Sequence, residues 1–141
     1  MYINYKLYLC SEIVTTMANT HLIISNSTEL LRIAVCQIMC IKADGNYCDI
    51  YQVGKIKKTV TLQLGQIQEK LIEQLPEYKN DFARVGKSLI VNINYVYNIN
   101  LTSQSLVLID DKSNRYEDSA SKEALKGLKE RIEKKELKDC L

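Results

Sequence analysis

Short runs rich in Ile, Val, Leu and Tyr, separated by brief turn signals, extend from His21 to Glu117 and constrain the fold more than any other feature. Runs of this length bounded by Gly, Asn and Asp are typical of consecutive antiparallel strands. The predicted strands are His21–Ser25, Leu30–Cys36, Ile38–Lys42, Tyr47–Val53, Ile56–Leu62, Phe82–Val85, Ser88–Ile93, Tyr95–Ile99, Ser105–Ile109 and Arg115–Glu117. The sequence therefore predicts a mainly β (α+β) fold.

Three turn signals connect these runs. Asp44-Gly45-Asn46 separates two apolar runs, and Gly and Asn tolerate the positive φ that tight hairpins require. Gly54-Lys55 and the polar stretch Asp110–Asn114 have the same character, and the acidic pair in the second stretch is typical of turn formation. Each signal predicts a hairpin between neighbouring strands.

Two segments show helical spacing instead. Between Leu64 and Leu75 the apolar residues recur every three or four positions, and Pro76 ends the pattern. Near the C-terminus, Ser119 or Ser121 can cap a helix whose apolar stripe is Leu125, Leu128 and Ile132. The stripe fades after Ile132, which predicts fraying from Lys134 onward.

The length of 141 residues favours a single domain. We expect an N-terminal extension over 1–20, the domain over 21–133 and a tail over 134–141. Net charge is +2 because 41–100 carry eight basic and six acidic residues, while the two ends balance. This charge lacks the strong basicity that alone would indicate nucleic-acid binding.

The five cysteines are odd in number and no secretory signal precedes them, so a reducing cytoplasm is expected. The longest nearly apolar stretch, Ile33–Ile41, is far shorter than the roughly 20 residues of a membrane helix, which excludes a membrane protein. Cys36, Cys40 and Cys48 could suggest zinc, but metal sites prefer closer pairs with His. Core packing is the favoured interpretation of these cysteines, and no metal is expected.

Catalysis finds little support. His21 is the one His, and no GxSxG, P-loop or HExxH spacing supplies partners for it, so we expect neither an enzyme nor a cofactor. Nine Tyr could stack on single-stranded bases. Period two places Asp49 between Tyr47 and Tyr51 on one strand face, where its charge would repel phosphate, so most Tyr are interpreted as structural.

The segment Arg84–Asn92 is the most suggestive stretch. It combines two cations, a hydroxyl and a Gly at the start of an apolar strand. Such groups can bind phosphates, and Asn can read adenine edges. From the residues alone, a solvated turn and a phosphate-binding loop remain equally supported.

Four elements in order resemble the LytTR family of DNA-binding domains. They are Ile41–Tyr47, the helix Leu64–Leu71, the block Phe82–Asn92 and the helix start Ser119–Lys122. The resemblance covers about Leu22 to Ile132. It implies elongated antiparallel sheets of LytTR type whose loops enter successive major grooves of double-stranded DNA, with the mid-chain helix as scaffold.

The resemblance implies a sequence-specific transcription regulator of bacterial type, with three contact loops. The implied DNA-binding residues are Asn46 and Tyr47 in the first loop, Arg84, Lys87, Ser88 and Asn92 in and around the second, and Ser121 and Lys122 in the third. Without a receiver domain ahead of it, we expect a stand-alone module, tuned by a protein partner or by abundance. Cooperative binding of a homodimer to direct repeats is a further expectation.

Three positions depart from the family pattern. Gly86 stands where His is usual, and Lys87 and Lys122 stand where Arg is common. Lysine supplies charge without the bidentate fork that Arg offers guanine, so phosphate contacts are expected to outweigh base reading. Two alternatives stay open: a protein-interaction module that kept the fold and lost DNA binding, and single-strand binding.

Overall fold

The computed structural model describes residues 20–140, with side chains for residues 20–135. In this part of the chain, ten strands pair antiparallel in three sheets and two α-helices follow the fifth and tenth strands. The strands are β1 (His21–Ser25), β2 (Leu30–Ala34), β3 (Ile38–Asp44), β4 (Tyr47–Gln52), β5 (Ile56–Val60), β6 (Phe82–Val85), β7 (Leu89–Asn92), β8 (Val96–Asn100), β9 (Ser105–Ile109) and β10 (Arg115–Ser119). The helices are α1 (Leu64–Gln74) and α2 (Lys122–Cys140).

The predicted mainly β fold with a mid-chain and a C-terminal helix is confirmed. The largest sheet has five strands in the order β5-β4-β3-β7-β6, so β3 lies at its centre. β1 and β2 form a separate hairpin, and β8 to β10 form a three-stranded sheet. The predicted extension over residues 1–20 lies almost entirely outside the described residues.

The five-stranded sheet is the middle layer of the molecule. Strand β7 is buried along its whole length. Ile90 belongs to one hydrophobic core, whereas Leu89 and Val91 belong to another on the opposite face. A strand covered on both faces has a continuous apolar sequence instead of an alternating one, as Leu-Ile-Val does here.

The first face of this sheet is covered by α1 and by the β1–β2 hairpin. Leu64, Ile67 and Leu71 of α1 are buried in the core on this face. The side chain of Gln74 accepts from the Ile23 N–H at 2.8 Å and donates to the Ile23 carbonyl at 2.9 Å. This pair of bonds attaches the hairpin to the end of α1.

The second face is covered by the three-stranded sheet and α2. Leu106 and Leu108 of β9 pack in this core with Leu125 and Leu128 of α2. The spacing of these α2 residues is the apolar stripe that the sequence predicts. Ile132 is half-buried at the edge of the same core.

Helix α2 continues to Cys140, whereas the sequence predicts fraying from Lys134. Two bonds hold its later turns to the segment before β6: Arg131 donates to the Asn80 carbonyl at 3.0 Å, and Lys135 pairs with Asp81 at 3.3 Å. Lys and Glu are also good helix formers. Loss of the apolar stripe therefore does not end the helix.

Two turns meet at one buried carboxylate, Asp110. Its oxygens accept hydrogen bonds from the N–H of Lys112 and Asn114, from the Asn114 side chain, and from the Gly54 N–H, at 2.8 to 2.9 Å. Burial by itself raises the pKa of Asp110, but these hydrogen bonds outweigh it and lower the pKa. The predicted turn-forming role of Asp110 is confirmed.

Candidate nucleic-acid interface

The first predicted contact loop is the β3–β4 turn. Asp44 and Tyr47 face each other across it, and Gly45 has a φ of +63°. Asn46 is exposed, and the Tyr47 side chain is 51% exposed. The sequence prediction of a tight hairpin here is confirmed, and both side chains are accessible to a large ligand.

The second loop is the β6–β7 turn. Val85 pairs with Leu89 across it, and Gly86 has a φ of +68°. Lys87 and Ser88 are exposed at its tip. The positive φ explains the use of Gly86, because a side chain in this conformation is strained.

One backbone bond joins the first two loops. The Ala43 N–H at the end of β3 donates to the Ser88 carbonyl at 2.8 Å, continuing the pairing of Lys42 with Leu89. Because β3 and β7 are antiparallel neighbours, the end of one strand lies beside the start of the other. The two turns therefore project from the same end of the five-stranded sheet.

The third loop is the start of α2. The Ser121 hydroxyl accepts from the Ala124 N–H at 3.2 Å, and the Ser121 carbonyl accepts from the Leu125 N–H at 3.0 Å. Ser121 is thus the N-cap, which selects between the two predicted serines. Lys122 is exposed at the first helical position.

An ion pair brings this third loop to the same end of the sheet. The Lys42 ammonium lies 3.1 Å from the Asp118 carboxylate, and Asp118 stands three residues before the cap Ser121. The hydrogen bond to Asp118 raises the pKa of Lys42, because it stabilises the ammonium form. The three loops are therefore brought together by β3, which contacts β7 on one side and β10 through this pair.

Some of the charged side chains at this end are paired with each other, and others have no ion-pair partner among the described residues. Lys42 and Asp118 neutralise each other. Lys87 and Lys122 form no ion pair with another residue among those whose side chains are described. Exposed cations of this kind are available to an anionic polymer such as DNA.

Arg84 is a predicted DNA contact, but its guanidinium forms hydrogen bonds within the protein. Its guanidinium donates to the Gln68 side chain of α1 at 2.8 Å and to the Lys87 carbonyl at 3.0 Å. The residue is exposed, but its donors support the second loop from behind. This geometry indicates a positioning role for Arg84.

The prediction that Asn92 contacts DNA requires correction. Asn92 is 3% exposed, lies at the opposite end of β7 from Lys87, and donates to the Ile38 carbonyl at 2.9 Å. Its side-chain oxygen accepts from the Asn94 N–H and side-chain amide. Strand alternation puts Asn92 on the same face of β7 as Ile90, which is buried in the first core, so this amide lies inside the molecule and Asn92 is structural.

Three residues at this interface are not among those predicted from the sequence: Lys42, Asp118 and Gln68. A lysine inside an otherwise apolar strand needs a partner or solvent, and this signal could have singled out Lys42. No local pattern connects Lys42 with Asp118, because the two are 76 positions apart. No local pattern marks Gln68 either, since the resemblance implies only a scaffold role for α1.

The cysteines that could suggest a zinc site are structural where the structure buries them. Cys40 and Cys48 are fully buried in the cores on opposite faces of the sheet, and burial raises the pKa of the Cys40 thiol to about 12. Their predicted core packing is confirmed. Among the described residues, no group of three His, Cys, Asp or Glu could hold a metal ion.

Most of the described tyrosines are also structural, as the sequence predicts. Tyr95 is buried and donates to the Cys36 carbonyl. Tyr51 and Tyr116 pack together with ring centroids 4.6 Å apart. Tyr47 and Tyr97 are the two exposed exceptions in the described part of the chain.

Two comparisons with known proteins find similar domains. The LytTr DNA-binding domain pattern matches residues 28–133. A solved structure described as the LytTr DNA-binding domain of a methyl-accepting/DNA response regulator from Bacillus cereus is similar with a TM-score of 0.56 and 18% identity, covering 80% of this chain and 96% of that chain. No curated protein matches the sequence. None of the helices among residues 20–140 is long and apolar enough to cross a membrane.

The two matches carry different weight. At 18% identity the solved structure establishes a shared fold of antiparallel sheets with two main helices. The pattern match extends from the β1–β2 connection into α2 and thus includes all three loops at the candidate interface. This chain belongs to the LytTR family of DNA-binding domains.

Proposed function

We propose that this protein is a sequence-specific transcription regulator that binds double-stranded DNA through its three loops. The observation that carries the proposal is the position of the loops: Asn46, Lys87 and Lys122 are exposed on three turns brought together at one end of the central sheet. The two lysines have no carboxylate partner among the described side chains. An anionic duplex would supply that partner.

The side chains favour phosphate contact over base reading. Lys87 and Lys122 carry a positive charge without the planar fork that recognises guanine. Asn46 and Ser88 can bond to either a base edge or the backbone. We therefore expect detectable sequence preference with a large electrostatic share of the affinity.

Titration of duplex DNA at several salt concentrations tests this proposal. Each lost phosphate contact should reduce the slope of log affinity against log salt by about 0.9. Lys87→Ala and Lys122→Ala should each show such a reduction. Lys112→Ala, which removes the same charge from the exposed β9–β10 turn at the opposite end of the molecule, should leave the slope unchanged.

Equal reductions of the salt slope by all three substitutions would contradict the assignment of the DNA-binding surface to the loops. Absence of duplex binding by the folded protein at any salt would instead favour the alternative, a protein-interaction module of the same fold. Tighter binding to oligo-dT than to duplex would favour single-strand binding. Sequencing of the genomic fragments that the protein retains gives the target site.

Direct repeats in that target would extend the proposal to two copies bound side by side. Half-sites about one helical turn apart place neighbouring copies on the same side of the duplex. A complex of two chains on a repeat and of one chain on a half-site, measured by sedimentation, is the expected result. Action on chromosomal DNA also agrees with the cytoplasmic location expected from the cysteine content.

A further inference from the structure

A cationic cleft lies at the end of the central sheet away from the three loops. It has a volume of about 210 Å³ and lies between the β4–β5 hairpin and the start of β10. Strand β4 leads away from Tyr47 in the first loop, and Arg115 begins the strand that leads toward the third loop. A ligand in this cleft would leave the proposed DNA surface accessible.

The floor of the cleft is apolar and aromatic. The rings of Tyr51 and Tyr116 meet at 47° there, beside Met39. Ile56 at the start of β5 is 56% exposed at its border. The three-stranded sheet thus leaves a small hydrophobic part of the β4–β5 face uncovered, where an apolar side chain of a partner can pack.

The rim of the cleft is positively charged. Lys55, Lys57 and Arg115 line it, and no acidic side chain among the described residues does. Lys55 and Lys57 form no ion pair with another described side chain, while Arg115 shares its charge with Glu117 at 3.3 Å. The charge pattern fits an anionic ligand.

The two strands beside the cleft each have an outer edge that pairs with no other described strand. β5 is the terminal strand of the five-stranded sheet, and β10 is terminal in the three-stranded sheet. The outer edge of a terminal strand can pair with an added extended segment. In the part of the chain that the structure describes, two strands without a further pairing partner therefore border the same cationic cleft.

The size of the cleft distinguishes the kinds of ligand. Small-molecule sites usually occupy about 300 to 1,000 Å³, more than this cleft offers. Its volume of about 210 Å³ accommodates one large side chain of a longer segment. We infer that the cleft docks an acidic, extended segment of a partner protein, with one aromatic side chain on the Tyr51–Tyr116 floor and carboxylates beside Lys57 and Arg115.

Binding of a designed probe tests the inference on the full chain. The probe is a short fluorescein-labelled peptide in which glutamate alternates with valine around one phenylalanine. Saturable binding is expected by fluorescence anisotropy, and Lys57→Gln with Arg115→Gln should weaken it about tenfold. Lys126→Gln, an exposed lysine on α2, serves as the matched control and should have no effect.

Two further peptides test whether binding depends on the aromatic side chain and on backbone pairing as well as on charge. Replacing the phenylalanine by alanine should weaken binding if the aromatic floor is used. Placing proline at alternate positions should abolish it if the β5 edge pairs with the peptide, because proline lacks the N–H that the pairing needs. Backbone amide signals of β5 should shift on adding the first peptide.

Three outcomes would overturn the inference. One is no saturable peptide binding, or binding insensitive to the Lys57 and Arg115 substitutions. Another is a loss of duplex DNA affinity in the same double variant, which would assign the cleft to the DNA surface. The third is self-association that the double variant abolishes, which would make a second copy of this chain the occupant.

Discussion

The Arg84 guanidinium donates a hydrogen bond to the Lys87 carbonyl at 3.0 Å, across the turn that carries two predicted DNA contacts. Its other terminal nitrogen donates to Gln68 of α1 at 2.8 Å. A planar fork can make both bonds at once, whereas an ammonium group cannot reproduce this geometry. The helix assigned to scaffold thus helps to fix the β6–β7 turn.

Arg84→Lys should therefore lower the affinity for duplex DNA although it keeps the charge. Loss of the two bonds frees the turn, and we expect faster amide hydrogen exchange at Lys87 and Ser88 with a loss of about 1 kcal/mol in binding. The salt dependence of binding should stay close to that of the unmodified protein. Unchanged exchange in Arg84→Lys, together with a salt slope reduced by about 0.9 in Arg84→Ala, would instead make Arg84 a direct phosphate contact.

Asn92→Ala should reduce stability and spare DNA binding. The substitution leaves the buried Ile38 carbonyl and the Asn94 N–H without their partner, at a cost of about 1 to 3 kcal/mol. Urea unfolding measures this loss, and DNA titration is done at a temperature where the variant is folded. A stable variant with weakened DNA binding would restore the original interpretation of Asn92.

Gly86→Ala should destabilise the protein by about 1 kcal/mol, because its φ of +68° is unfavourable for any residue with a Cβ. An added Cβ meets no atom within 4 Å, so the cost is conformational and not steric. Gly127→Ala in α2 is the matched control, which should stabilise by up to about 1 kcal/mol. Equal effects of the two substitutions in thermal unfolding would contradict this explanation.

Asp110→Asn should destabilise the two turns that meet at this carboxylate, by about 2 kcal/mol at neutral pH. The pKa of Asp110 is lowered in the folded state, so its ionised form contributes stability above the unfolded value of about 3.9. That contribution is lost as the pH falls through the lowered pKa. The difference in unfolding free energy between the two proteins should therefore shrink in acid, and a constant difference would contradict the assignment.

Much of the secondary structure could be predicted because it depends on neighbours in the chain. Asp44-Gly45-Asn46 specifies its hairpin through the conformations that Gly and Asn tolerate. The spacing of Leu64, Ile67 and Leu71 specifies α1 through the helical period. In both places the observed geometry follows from residues only a few positions apart.

The site was less predictable, because its side chains depend on distant partners. The block that contains Arg84, Lys87 and Asn92 looks locally uniform, yet the structure exposes Lys87, ties Arg84 to α1 and buries Asn92. Which of these happens depends on the strand and helix that pack against β6 and β7. That information lies outside the block itself.

The sequence by itself determined a chain of antiparallel hairpins with two amphipathic helices, since turn residues and apolar periods act locally. Only the tertiary structure decided that three loops from separate parts of the chain share one end of a sheet. The Ala43–Ser88 backbone bond and the Lys42–Asp118 ion pair bring them together. Such contacts form only when strands far apart in sequence become neighbours, so no local pattern can specify them.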